Sequence, residues 1–303
     1  LEYYDAERDA GVRLGWRMPG AKPPFEEALD AARSADVVVF VGGLTGDVEG
    51  EEMKVNYPGF AGGDRTDLRL PAPQRALLEA LHATGKPVVM VLTGGSALAV
   101  EWAEDKLPAI LMSWYPGQRG GTAVGQALFG DTTPGGRLPV TFYKADQTMP
   151  AFDDYTMEGR TYRYFRGKPL YPFGHGLSYT TFDYGKLCLN APRIAADGRL
   201  KATVDVANTG KRAGDEVVQL YVRRLDAAPG EALQALHGFQ RIHLAPGERR
   251  SVAFDLDAHQ ALRQYDEARG AYVVPPGAYE VRVGSSSADL RATAGFTVEA
   301  ARD

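Results

Sequence analysis

The alternation of apolar and polar positions changes its period once along the chain. Between residues 25 and 129, short continuous apolar runs lie between stretches of helical period. Residues 36–41 (DVVVFV), 87–92 (PVVMVL) and 109–114 (AILMSW) are too short for helices and mostly apolar, which predicts buried parallel strands. Phe25, Ala28, Leu29 and Ala32 share one face of a predicted helix over 25–34. A second amphipathic helix is predicted over 72–84, stopped by Gly85, a short one towards Trp102, and a fourth over 122–129. Strands alternating with helices at this spacing mean βαβ units and a parallel sheet. From Leu200 the period becomes two: LKATVDVANTG, DEVVQLYVRR, ERRSVAFDL and AYEVRVGSSS alternate between turn signals. That predicts a β-sandwich.

The stretch over 130–190 is crowded with Gly, Pro and aromatic residues, and reads as an ordered connection. Tyr162, Arg163, Tyr164 and Phe165 are expected to pack on the α/β domain. At the other end, residues 1–18 alternate through Leu1, Tyr3, Val12, Leu14 and Trp16, as a β-hairpin would. A lone hairpin is barely stable, so this one belongs to a larger sheet.

A long loop without periodicity follows the first apolar run and gathers Asp47, Glu49, Glu51 and Glu52. Its position at the carboxyl end of a strand is where open α/β sheets hold ligands. Carboxylates there could serve as a general acid, or the loop could simply be solvated. The net charge of −5 argues against a nucleic-acid partner. A single cysteine, Cys188, excludes an internal disulfide, and the five histidines have no ligand spacing, so neither metal nor cofactor is expected. No apolar run is long enough to span a membrane. The start, LEYYDAERDAG, has no signal-peptide pattern and no initiator Met, and reads as part of a longer or processed chain.

Three glycine-rich loops follow strands, at 42–46, 93–95 and 117–121, but neither G-x-G-x-x-G nor the Walker pattern occurs. Ser96 after Gly94-Gly95 lacks the G-x-S-x-G context of a nucleophile, and helix capping is its simpler account. Trp114 and Tyr115 stand at a strand end, where they either stack on a sugar or pack internally. Asp64-Arg65 reads as an ion pair fixing the loop.

The set DVVVFVGGL, V-E-G-E-E, G-G-D-R-T-D-L-R-L-P, W-Y-P-G-Q-x-G-G, G-R-L-P-V-T-F-Y and P-F-G-H-G-L-S-Y resembles the carboxy-terminal half of glycoside hydrolase family 3. The resemblance covers nearly the whole chain, with the motifs in the family's order. It implies an α/β sandwich domain over 21–165, an ordered linker over 166–190 and an immunoglobulin-like fibronectin type III sandwich over 191–303. Residues 1–20 resemble the last strands of a PA14-like insert. The resemblance further implies a retaining, exo-acting β-xylosidase or β-glucosidase acting on terminal β-linked sugars. Its general acid/base would be Glu49, with Glu51 and then Glu52 as alternatives, and Trp114 and Tyr115 would bind substrate. The Asp nucleophile would lie in a TIM barrel absent from these residues, leaving this chain inactive by itself. Similar enzymes are often periplasmic or secreted. A non-catalytic carbohydrate-binding or adhesion module is the alternative function.

Overall fold

The computed structural model describes residues 24–55, 57–147, 149–151 and 153–300. The expected hairpin at 1–18, and with it the PA14-like insert, lies outside them. The described residues form two compact units, one within 24–129 and 142–147, the other within 130–141 and 149–300.

The first unit runs α1 (Pro24–Ser34), β1 (Val38–Gly43), β2 (Phe60–Ala61), β3 (Asp64–Arg65), α2 (Ala72–Ala83), β4 (Val88–Thr93), α3 (Glu101–Lys106), β5 (Ala109–Met112) and α4 (Gly120–Phe129). Strands β1, β4 and β5 form a parallel sheet in that order. The central strand is the apolar one: Val88, Met90, Val91 and Leu92 are all fully buried, as a strand covered on both faces must be. Helix α2 directs Leu78 and Leu81 inward, and with them Gln74. That buried amide clamps the end of β1. Its Oε1 accepts from the Gly43 N–H at 2.7 Å, and its Nε2 donates to the Gly43 carbonyl at 2.7 Å. Position 43 tolerates only glycine, since φ is +128° and a Cβ would stand 2.0 Å from the Thr93 carbonyl oxygen.

The second unit runs α5 (Thr161–Tyr164), β6 (Phe182–Tyr184), β7 (Cys188–Leu189), β8 (Arg193–Ile194), β9 (Arg199–Asn208), β10 (Gly214–Arg224), β11 (Ala235–Leu244), β12 (Arg249–Asp257), α6 (Ala258–Ala261), β13 (Gln264–Asp266), β14 (Ala271–Val273), β15 (Gly277–Gly284) and β16 (Leu290–Val298). Two sheets, β11-β10-β15-β16-β8 and β12-β9-β6 with β7 on β9, form the sandwich. Alternate residues such as Val204, Val206, Val218, Leu220, Val252 and Val281 fill the space between them.

Described residues of 130–141 and 149–190 belong to this second unit. Leu138 and His175 are joined through the main chain at 2.8 Å, and Gln219 of β10 donates to the Gly174 carbonyl at 3.1 Å. Arg137 forms a buried ion pair with Glu216 of β10 at 3.1 Å. The aromatic run at 162–165 corrects the expectation that it covers the α/β domain. Tyr162 stacks on Phe173 and meets Tyr221 edge-on, with ring centroids 4.5 and 5.7 Å apart. Tyr221 projects from the outer face of β10, where a large ring left uncovered would face water.

Candidate active site

Parallel strands end at one edge of their sheet, so the loops after β1, β4 and β5 open together. Gly43 lies beside Thr93, and Leu92 beside Met112. The main chain extends the pairing through Leu44 N–H to the Thr93 carbonyl (2.9 Å) and Ser113 N–H to the Leu92 carbonyl (2.8 Å). The first loop carries Glu49, the second Gly94-Gly95-Ser96 and the third Trp114-Tyr115.

All three meet at the Glu49 carboxylate. Its Oε2 accepts from the Gly95 N–H at 2.7 Å and from the Tyr115 O–H at 2.7 Å. Its Oε1 accepts from the Ser96 O–H. Ser96 Oγ in turn accepts from Arg65 Nη1 at 3.2 Å. Burial by itself raises the Glu49 carboxyl. The bonds from Ser96, Tyr115 and Gly95, with the Arg65 charge behind them, outweigh that effect and hold it below the usual carboxylate range. Burial and the bond to Glu49 push the Tyr115 phenol up.

The loop that carries Glu49 is more ordered than its lack of periodicity predicts. Val48 and Glu49 both donate their N–H to the Thr45 carbonyl, each at 3.1 Å, which turns the chain just before the carboxylate. Strands β2 and β3 pair as a small antiparallel ladder, and Met53 N–H reaches the Gly62 carbonyl at 2.8 Å. Asp47 accepts from the Thr45 hydroxyl at 3.2 Å.

Two expectations are corrected here. Arg65 does not pair with Asp64. Its Nε and Nη2 donate to the Asp67 carbonyl at 3.0 and 2.6 Å, and its guanidinium lies 5.5 Å above the Phe60 ring. Ser96 is not a helix cap either. Helix α3 begins at Glu101 behind Val100, and the Ser96 hydroxyl points to Glu49.

Of the candidate acids, Glu49 alone is gathered into this cluster, whereas Glu51 and Glu52 are exposed. Tyr115 belongs to the cluster through its hydroxyl. Trp114 sits behind it, half-buried, its ring edge-on to Phe142 at 6.1 Å. Sequence reasoning did not find the Gly95 amide, Ser96 or Arg65 as partners of Glu49. The available signal was positional: each lies just beyond an apolar strand, or in the loop leading from one.

Comparison with known proteins shows the family of the chain. Residues 8–179 match the glycosyl hydrolase family 3 C-terminal domain. The chain belongs to glycosyl hydrolase family 3. Residues 216–287 match a fibronectin type III-like domain, so the second unit carries the family's β-sandwich module. A xylan 1,4-β-xylosidase of Xylanibacter ruminicola is 45% identical over 266 residues, covering 88% of this chain and 30% of that protein. A periplasmic β-glucosidase of Salmonella typhimurium is 37% identical over 295 residues, covering 93% of this chain and 37% of that protein. The crystal structure of a β-glucosidase from Kluyveromyces marxianus in complex with glucose superposes with a TM-score of 0.79 at 32% identity, over 91% of this chain and 33% of that one. This family 3 chain therefore spans about a third of the length of such relatives.

Proposed function

We propose that this chain is the C-terminal portion of a retaining, exo-acting β-glycosidase that removes β-xylose or β-glucose from non-reducing ends, with Glu49 as its general acid/base. The observation that carries the proposal is the gathering of one carboxylate, Glu49, by the ends of three parallel strands. A group that must be held against a glycosidic oxygen needs such positioning. The exposed Glu51 and Glu52 lack it.

Retaining hydrolysis uses a second carboxylate about 5 Å from the first as nucleophile. That Asp, in an N-terminal TIM barrel, lies outside this chain, in keeping with the share of the relatives that the chain spans. Its charge would raise the Glu49 carboxyl by like-charge repulsion and supply the protonated form that the first step needs. In this chain Glu49 is prepared for the second step, in which it accepts a proton from water. The chain alone is accordingly inactive. Trp114 and Tyr115 form one wall of the sugar pocket, and the alternating residues 1–20 are the tail of a PA14-like insert.

The test is leaving-group selectivity in the full-length polypeptide. Glu49→Gln should slow hydrolysis of glycosides with poor leaving groups by orders of magnitude more than activated aryl glycosides, which need little protonation. Equal, small effects on both would overturn the assignment.

A further inference from the structure

The two oxygens of Glu49 are held differently, and the difference assigns them separate work. Oε2 accepts from a main-chain N–H, which cannot turn away, and from a phenol. A proton placed on Oε2 would face the Gly95 N–H whichever way the phenol turned. Oε1 accepts from one rotatable hydroxyl, and a hydroxyl can either donate or accept. When Glu49 is protonated on Oε1, Ser96 Oγ can receive that O–H while still accepting from Arg65.

We propose that Oε1 is the oxygen through which Glu49 passes its proton, and that Ser96 is a positioning residue whose hydroxyl stands where the glycosidic oxygen arrives. The inference rests on the reading of Glu49 as acid/base. In the first step the proton leaves Oε1 for the leaving oxygen as the glycosidic C–O bond breaks and the nucleophile's carboxylate forms an ester with the sugar. In the second, water returns a proton to Oε1 while its oxygen bonds the sugar carbon and the ester bond breaks. Ser96 neither gains nor loses a proton. It holds Oε1 between steps and yields its place to substrate. Oε2 stays anchored on Gly95 and Tyr115, so the carboxyl keeps its aim.

The charged and titratable groups facing this pair are few. Arg65 of β3 reaches Ser96 and acts on Glu49, Asp67 acts on Arg65, and Tyr115 comes from the loop after β5. The loop after β4 contributes no titratable side chain between residues 93 and 100. A change in the titration of Glu49 on altering Ser96 thus reports the lost hydroxyl, both directly and through the Arg65 guanidinium that donates to it.

The experiment is the pH dependence of kcat/KM in the full-length polypeptide, on aryl β-xylosides and β-glucosides of good and poor leaving groups. Activity falls on the alkaline side as the general acid loses its proton. Ser96→Ala removes a donor that favours the carboxylate, so the alkaline limb should move up by about one pH unit. KM should fall, because the competitor for Oε1 is gone. Ser96→Thr, which restores a hydroxyl, should return the limb to its wild-type position. An unmoved limb in a folded Ser96→Ala protein, or an equal shift in Ser96→Thr, overturns the role of Ser96. Glu49→Gln in the same series separates the two levels. If it loses leaving-group selectivity as expected while Ser96→Ala leaves the limb in place, only the Ser96 inference fails. If it slows all substrates alike, the assignment of Glu49 fails first.

Discussion

Tyr115 donates its phenol O–H to Glu49 Oε2 at 2.7 Å, across 66 positions of sequence. The bond bridges the strands that flank β4: Glu49 follows β1, and Tyr115 follows β5. Trp114, immediately before the tyrosine, holds φ at +55°, a left-handed conformation that costs a bulky residue about 1 kcal/mol or more. Such strain persists where surrounding structure enforces it, and here it stands at the turn that delivers Tyr115 to the carboxylate.

Tyr115→Phe should therefore raise the Glu49 carboxyl in this chain by itself. The native carboxyl titrates below its ordinary range, so the stability it contributes is present above the unfolded value and fades as pH falls through the folded one. Removing one donor narrows that acid window. Carbon-detected NMR titration of glutamate-labelled chain reads it directly. A Glu49 titration that does not move in Tyr115→Phe would show that the bond does not hold in solution.

Gln74→Ala tests the clamp beneath the site. It would leave the Gly43 N–H and carbonyl without their side-chain partner in a buried setting. Each unsatisfied buried group costs about 1–3 kcal/mol, so urea denaturation should show a loss in that range or above. A loss under about 0.5 kcal/mol, the scale of an ordinary surface substitution, would contradict the clamp.

The fold was legible because its signals are local. An apolar run such as 87–92 specifies a central parallel strand by itself, and the period-two pattern after Leu200 specifies a half-buried sheet. The acidic loop and its place at a strand end were equally visible. What failed was partnership. The sequence places Arg65 beside Asp64, but the guanidinium turns to the Asp67 carbonyl and to Ser96, 31 positions away. The aromatics at 162–165 revealed that they would pack without revealing on what. Tyr162 finds Phe173 and Tyr221 because β10 is left with a large ring on its outer face. Contacts of this kind depend on strand order and register, which periodicity does not encode.

The buried pair Arg137–Glu216 gives a sharper stability test. Its side chains are 8% and 4% exposed, and Tyr184 adds a bond to Glu216 at 3.1 Å. Arg137→Met should destabilise the second unit by about 3–5 kcal/mol, because it strands a buried carboxylate. Adding Glu216→Leu should recover much of that loss, since the desolvated charge is then removed as well. A double-mutant cycle by chemical denaturation measures both. Strict additivity of the two losses would mean that the pair is not coupled.

Gly63→Ala addresses the loop that delivers Glu49. At position 63, φ is +96° and a Cβ would stand 2.0 Å from the Gly50 carbonyl oxygen, the residue after Glu49. A Cβ is fixed by its own backbone and the atom it meets is a main-chain oxygen, so no rotamer change relieves the contact, and one strand of the loop must move. Gly62→Ala is the matched control: its Cβ would meet nothing nearer than the Met53 carbonyl oxygen at 4.0 Å, so it carries backbone strain alone. Moving Gly50 draws Glu49 away from Gly95, Ser96 and Tyr115. Gly63→Ala should then return the Glu49 titration towards the ordinary carboxylate range, while Gly62→Ala changes it far less. Melting of the sheet should fall by only a few degrees in either variant, because the buried core of β4 is untouched. The same two variants in the full-length polypeptide should separate in turnover of poor-leaving-group substrates, with Gly63→Ala the slower. Equal titration curves for the two would show that the Gly50–Gly63 contact does not position the carboxylate.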